Sequence, residues 1–150
     1  MSGVGIEVDV RGMRRVQSQL RKFANAPIDE LMDAVGAELQ SQTHERITED
    51  KAGPDGEEWP EWSERYAKTR HAGQSLLEGE GALVESLQWV VEDDGLEFGT
   101  NLIYGAIHQF GGEEVDIPID PRPYLGVNDE NLDDIEAVID DWFAQLAEVA

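Results

Sequence analysis

Cysteine is absent from this 150-residue chain, which excludes a disulfide framework, a thiolate metal site and a cysteine nucleophile, and leaves the redox compartment open. Long apolar runs are missing too. None approaches the roughly 20 residues that a bilayer-crossing helix requires, and Met1 to Gly12 lack the basic-then-apolar layout of a signal peptide. The expectation is a soluble protein made inside the cell, with no membrane. Basic residues are scarce: 11 against 33 acids give a net charge of −22, and beyond His71 the only lysine or arginine is Arg122. A chain so charged repels free duplex DNA.

What is present argues for a folded chain. Hydrophobic residues make up 40 % of the sequence and include four tryptophans, too many for the disorder that high charge alone would suggest. The length suits a single domain spanning 1–150. The acids therefore belong on surfaces. They occur in almost every segment, and only three bases are lysine, a pattern resembling proteins adapted to high salt, where screening weakens self-repulsion. An acidic binding face or an acidic channel wall would enrich Asp and Glu in the same way.

Val4, Ile6, Val8 and Val10 alternate with small or acidic residues, which predicts a strand. Met13, Val16, Leu20 and Phe23 recur at helical spacing among Arg14, Arg15, Arg21 and Lys22, and a longer helix starts at Pro27 and runs to about Thr48 with Ile28, Leu31, Met32, Val35 and Leu39 on one face. From about 49 to 75 the apolar period disappears in favour of Gly, Pro and charge, which predicts an extended aromatic loop. Trp59 and Trp62 in that loop must fold back on the core or anchor an interface. A short strand, a turn and a one-turn helix with Leu83 and Leu87 inward come next, then a hairpin of Leu87 to Val91 and Gly95 to Gly99. Ile103, Ala106, Ile107 and Phe110 predict a helix stopped by Gly111 and Gly112, and Glu113 to Asp120 a further strand. A final acidic helix from Asn128 carries Leu132, Ile135, Val138, Ile139, Trp142, Phe143, Leu146 and Val149 on one stripe. The fold class is α+β, an antiparallel sheet packed against long helices.

No catalytic, cofactor or metal site is predicted. His44, His71 and His108 have no second histidine at i+3 or i+4, so each is expected to be satisfied by local hydrogen bonds. Ser63 and Ser86 lack a nucleophile-elbow context. Asp93-Asp94 and Asp140-Asp141 lack the spacing of a calcium loop and read as solvated faces, and Gly111-Gly112 is followed by Glu113 and Glu114, which repel phosphate.

Local specificity concentrates elsewhere. Pro54-Asp55-Gly56, Trp59, Trp62-Ser63, Tyr66, the stretch Gly81 to Leu87, the run Phe98 to Gly112 and then Arg122-Pro123-Tyr124-Leu125-Gly126 follow one another in a fixed order. In that order and spacing the chain, from about Arg46 to Ala150, resembles the phage virion morphogenesis family, best known from the tail-completion proteins of Mu-like and P2-like phages. It departs from the family's usual Tyr-Ala-Ala at Tyr104-Gly105-Ala106 and in its acidity.

The resemblance implies a non-enzymatic virion protein, made in the host cytoplasm, that completes the tail or neck at the head–tail junction as a ring around the DNA channel. Its partners would be copies of itself, sixfold as tails commonly are, and neighbouring tail, neck or connector proteins, with DNA only as passing cargo. Ring contacts are heterologous. The expected interface residues are Trp59, Trp62, Tyr66 and Arg122, the first three on a loop arm and Arg122 paired with carboxylates inside or between subunits. His108, Gln109, Phe110, Gly111, Pro123 and Tyr124 are expected to be structural, with Phe110 buried and His108 or Gln109 tied to a neighbouring strand. An acidic lumen would discourage DNA from sticking. The rival readings are an acidic DNA mimic that inhibits a DNA-binding enzyme, which competition with DNA would reveal, and a metal-dependent hydrolase, which a bound divalent ion would reveal.

Overall fold

Alternating side chains near the N-terminus and in the later hairpin build one small sheet. The computed structural model describes residues 3–9, 18–19, 26–61, 82–92, 95–111 and 120–149. Strand β1 (Val4–Asp9) and strand β2 (Gln88–Val91) flank a central β3 (Gly95–Thr100), all antiparallel. The register sets Ile6 opposite Phe98, Val8 opposite Leu96, and Trp89 and Val91 opposite Phe98 and Leu96. One face is therefore apolar, because side chains alternate with a period of two. The other face carries Glu7 opposite Glu97. Close approach of β1 to β3 depends on glycine: a Cβ on Gly99 would lie 2.0 Å from the Val4 carbonyl oxygen.

Helix α1 (Ile28–Glu45) covers the apolar face. Pro27 precedes it and Asp29 and Glu30 occupy its electropositive first turn. Leu31, Met32, Val35 and Leu39 are all at most 1 % exposed, and Gly36 lets the Trp89 ring lie where a Cβ would be 2.5 Å away. The Trp89 indole donates to Asp33 at 3.0 Å, which fixes its orientation. The helix continues into a π-helical turn, Arg46–Asp50, that ends at Lys51 in a left-handed conformation. This wider turn holds the adjacent residues Arg46 and Ile47 both inside, 4 % and 0 % exposed.

Helix α2 (Ala82–Ser86) buries Leu83 and leads through buried Leu87 into β2. Helix α3 (Ile103–Phe110) follows β3, and helix α4 (Asp129–Val149) packs along α1 through Ile135, Ile139 and Phe143. Each such side chain removed from water contributes roughly 1.5–3 kcal/mol before chain entropy is charged against it. Among the described residues, no helix is long and apolar enough to cross a membrane.

The α+β class, the N-terminal strand, the long helix, the hairpin and the two later helices match the expectations from sequence. Two do not. Phe110 is 71 % exposed, because the inward face of α3 is centred on Gly105 and Gln109 and Phe110 lies about 100° round the helix. Leu132 is 45 % exposed, because Asn131 occupies the inward position of that turn and bonds to Arg46 and Gln42. Trp62, Tyr66 and most of the aromatic loop, the strand at 113–120, the short strand near Leu76, and the helix at 13–23 apart from helical Ser18 and Gln19 lie outside the described residues.

Candidate functional site

Residues 120–128 cross the molecule without joining a helix or a sheet, yet Arg122, Tyr124 and Leu125 are 7 %, 0 % and 5 % exposed. Buried backbone without a ladder must find other partners. Here side chains supply them, and the segment forms a strap held from three sides.

The first side is the π turn. The Arg46 guanidinium donates to the Tyr124 carbonyl at 2.6 Å, the Gly126 carbonyl at 3.3 Å and Asn131 Oδ1 at 2.8 Å. Burial lowers its pKa, and Asp50 opposes that shift. Asn131 and Asn128 close the start of α4: the Asn131 amide donates to Asn128 Oδ1 at 2.7 Å and the Asn128 amide to Asn131 Oδ1 at 3.1 Å.

Helix α3 is the second side. Gln109 Oε1 accepts the amides of Tyr124 and Leu125, both at 3.0 Å, while its Nε2 donates to the Leu125 carbonyl at 3.2 Å, so one side chain acts as a missing strand. The Tyr124 hydroxyl donates to the Gly105 carbonyl at 2.7 Å, and burial pushes its pKa far up, which keeps it a donor. A Cβ on Gly105 would sit 2.9 Å from that hydroxyl and 2.4 Å from Thr100 Cγ2. The departure Tyr104-Gly105-Ala106 thus has a steric role. The His108 carbonyl accepts the Arg122 amide at 2.7 Å. Its ring lies edge-on to Tyr104, and among the described residues its buried Nδ1 meets no hydrogen-bond partner, unlike the locally satisfied histidine expected. Burial, then the Arg122 charge, lower its pKa.

The third side is the loop at 51–61. The Gly56 amide donates to the Gly53 carbonyl at 3.0 Å, Asp55 Oδ1 accepts the Glu57 amide, and Gly56 adopts φ 86°, the conformation that favours glycine. The turn delivers Trp59 beneath the strap, where its indole donates to the Pro123 carbonyl at 2.8 Å. Arg122 reaches back to the carbonyls of Pro60 at 2.8 Å and Glu61 at 3.0 Å.

Trp59 at 4 % exposed therefore folds back on its own core, the first of the two alternatives its loop position offered. Arg122 is likewise buried within the subunit. His108, Gln109, Pro123 and Tyr124 meet around the strap, Gly111 caps α3 by donating its amide to the Ile107 carbonyl, and Phe110 stands outside. Sequence reasoning missed Arg46, Asn128 and Asn131. A signal existed for Arg46, which falls seven residues after Leu39 on the apolar stripe of α1.

Ser86 and Thr100 are tied into structure. Thr100 Oγ1 lies 2.6 Å from Ser86 Oγ and accepts the Leu102 amide at 3.1 Å, while Ser86 donates to the Leu83 carbonyl. Among the described residues Ser86 Oγ thus meets a hydroxyl and a backbone carbonyl. Among the described residues the one grouping of three potential metal ligands is Glu7, Glu92 and Glu97, of which the first two are exposed. Exposed carboxylates on a sheet face are solvated charges.

The model of the phage virion morphogenesis family matches residues 8–144. A protein of Escherichia phage Mu described as putative capsid assembly protein G is 30 % identical over 134 residues, 83 % of this chain and 84 % of that protein. No solved structure matches significantly.

Proposed function

We infer that this chain, which belongs to the phage virion morphogenesis family and has a structural role in assembling the virion, completes the tail or neck at the head–tail junction. In this reading it works without catalysis, as a ring of copies around the channel through which DNA passes, in contact with the adjacent tail, neck or connector proteins. The observation that carries the reading is where the sequence motifs go. Pro54-Asp55-Gly56, Trp59, Gln109 and the Arg122 to Gly126 run all converge on the strap. Residues that would mark chemistry in an enzyme here hold a shape.

That shape suits a particle component. A strap fixed by charge-assisted and side-chain bonds on three sides presents one rigid surface, and a ring subunit must repeat the same contact geometry at every step for the rotation to close. High negative charge suits a wall past which polyphosphate moves. The test is to produce particles without this protein. Filled heads and finished tails should accumulate unjoined, and adding the purified protein should join them. Joined particles in normal yield without it would contradict the reading.

A further inference from the structure

An amphipathic helix on a globular surface turns its apolar stripe to the core, and α3 does the reverse. The side it turns inward is centred on the Gly105 carbonyl and the Gln109 side chain, which hold the strap. At about 100° per residue, Ile107 lies opposite that side, with Tyr104 and Phe110 about 60° to either side of it. Tyr104 is 41 % and Phe110 71 % exposed, and Ile107 is half-buried. The outward surface of α3 is thus a ridge of three large, mainly apolar side chains at i, i+3 and i+6.

The ridge carries no formal charge. Every other described helix contains at least one acid, whereas Ile103–Phe110 contains no acid, lysine or arginine. In a chain of net charge −22 this decides what can cover it. A basic partner gains most on the acidic faces elsewhere. A second copy, as acidic as the first, approaches closely only where one of the two meeting surfaces is free of acids. Absence of charge together with exposed aromatic rings is also the composition of an interface core.

The other half of such a contact lies at the far edge of the sheet. Helix α3 packs beside β1, and β2 flanks β3 on the opposite side. Trp89 and Val91 of β2 turn towards the core under α1, so Gln88 and Val90 turn outward, and Val90 is 55 % exposed. Carboxylates rim Val90: Glu97 lies opposite it on β3, and Glu97, Glu92 and Glu7 bring oxygens within 4.8 Å of one another. An acid-bearing helix would be repelled there, whereas α3 brings no acid and offers the Tyr104 hydroxyl as a donor to a carboxylate. We propose that the Tyr104–Ile107–Phe110 ridge of one copy seats on the Val90 surface of the next, with Phe110 as the anchor because most of its ring is still to be buried. The two surfaces differ and stand at opposite edges of the sheet, so the contact is heterologous and propagates from copy to copy. The proposal rests on the ring reading above and names its interface.

The test uses the full-length protein at about 1 M salt, where general repulsion is screened, with mass followed by sedimentation and light scattering. Phe110→Ser and Val90→Ser each leave the net charge at −22, so neither alters general repulsion. Each should raise the dissociation constant of the assembly at least about tenfold, with circular dichroism like the parent's because both side chains are exposed. The decisive sample is an equimolar mixture of the two variants. A Phe110→Ser copy keeps its Val90 surface and a Val90→Ser copy keeps its ridge, so one intact contact remains. The mixture should form a species of two copies at concentrations where either variant alone is monomeric. Association of Phe110→Ser at the parent's level, or a mixture no heavier than the separate variants, would overturn the contact while leaving the ring intact. A parent protein that stays monomeric up to its highest soluble concentration would overturn the contact too, whereas the ring reading itself falls if particles join normally without the protein.

Discussion

Replacing Arg46 by methionine keeps most of the buried volume and removes the guanidinium that binds the strap. Three acceptors lose their donor: the Tyr124 carbonyl at 2.6 Å, Asn131 Oδ1 at 2.8 Å and the Gly126 carbonyl at 3.3 Å. Hydrogen bonds to a charged group contribute roughly 1.5–3 kcal/mol each, and a buried acceptor left unpaired costs about 1–3 kcal/mol. The two short bonds dominate, and the long one adds little. Water reaching Gly126 and Asn131, which are only half-buried, recovers part of the loss, so the expected cost is about 3 kcal/mol. Arg46→Lys keeps the charge but not the planar fork, and should cost about half as much. Urea denaturation reads these values directly. In a chain of this length the methionine variant should melt about 6–12 °C lower. A cost below about 1 kcal/mol for Arg46→Met would refute the idea that this arginine locks the strap.

Gly105→Ala sets a methyl group against Thr100 Cγ2 and the Tyr124 hydroxyl; differential scanning calorimetry should show a loss of about 1–3 kcal/mol, part of which Thr100→Ser returns by deleting the clashing methyl. Unchanged melting would mean that α3 does not sit so close. Trp59→Phe loses the bond to the Pro123 carbonyl and should cost about 1–2 kcal/mol without altering the mass of any assembly, whereas an interface anchor would do the opposite. Glu7 faces Glu97 directly across the strands, so Glu7→Gln should stabilise by roughly 0.2–1 kcal/mol at low salt and by less near 1 M salt; a gain independent of salt would point to another cause. The folded-state pKa of His108 is lowered, so the unfolded chain binds its proton first. Stability linked to His108 should fall as pH drops below about 6.5 and level off below the folded pKa, and His108→Gln should flatten that limb of the stability–pH curve. Identical curves for parent and variant would remove His108 from it.

How much could be read in advance depended on the kind of signal. Alternation at Val4 to Val8 and the period of Leu31, Val35 and Leu39 report burial directly, and those elements formed where expected. The tight connection from Glu92 to Gly95 gave the hairpin, since few residues can close so short a turn. The strap was not legible as structure, because its partners are distant in sequence. Gln109 lies 15 residues from Tyr124, and Arg46 lies 78 from it. Phe110 misled for a related reason: helical spacing in a short amphipathic helix cannot say which side faces inward when glycine and glutamine mark that side. For Trp59 the sequence offered core or interface, and the indole bond to Pro123 places it in the core. Arg122 stood out as an isolated base, but its carbonyl partners at Pro60 and Glu61 are backbone atoms and leave no trace in residue identity.

The most direct test of the functional reading is electron cryomicroscopy of purified particles, with the neck reconstructed without imposed symmetry. The reading predicts a closed ring of this chain between head and tail, sixfold and open around the DNA. Finished particles that lack the chain at the junction, or hold it there as single isolated copies, would contradict it.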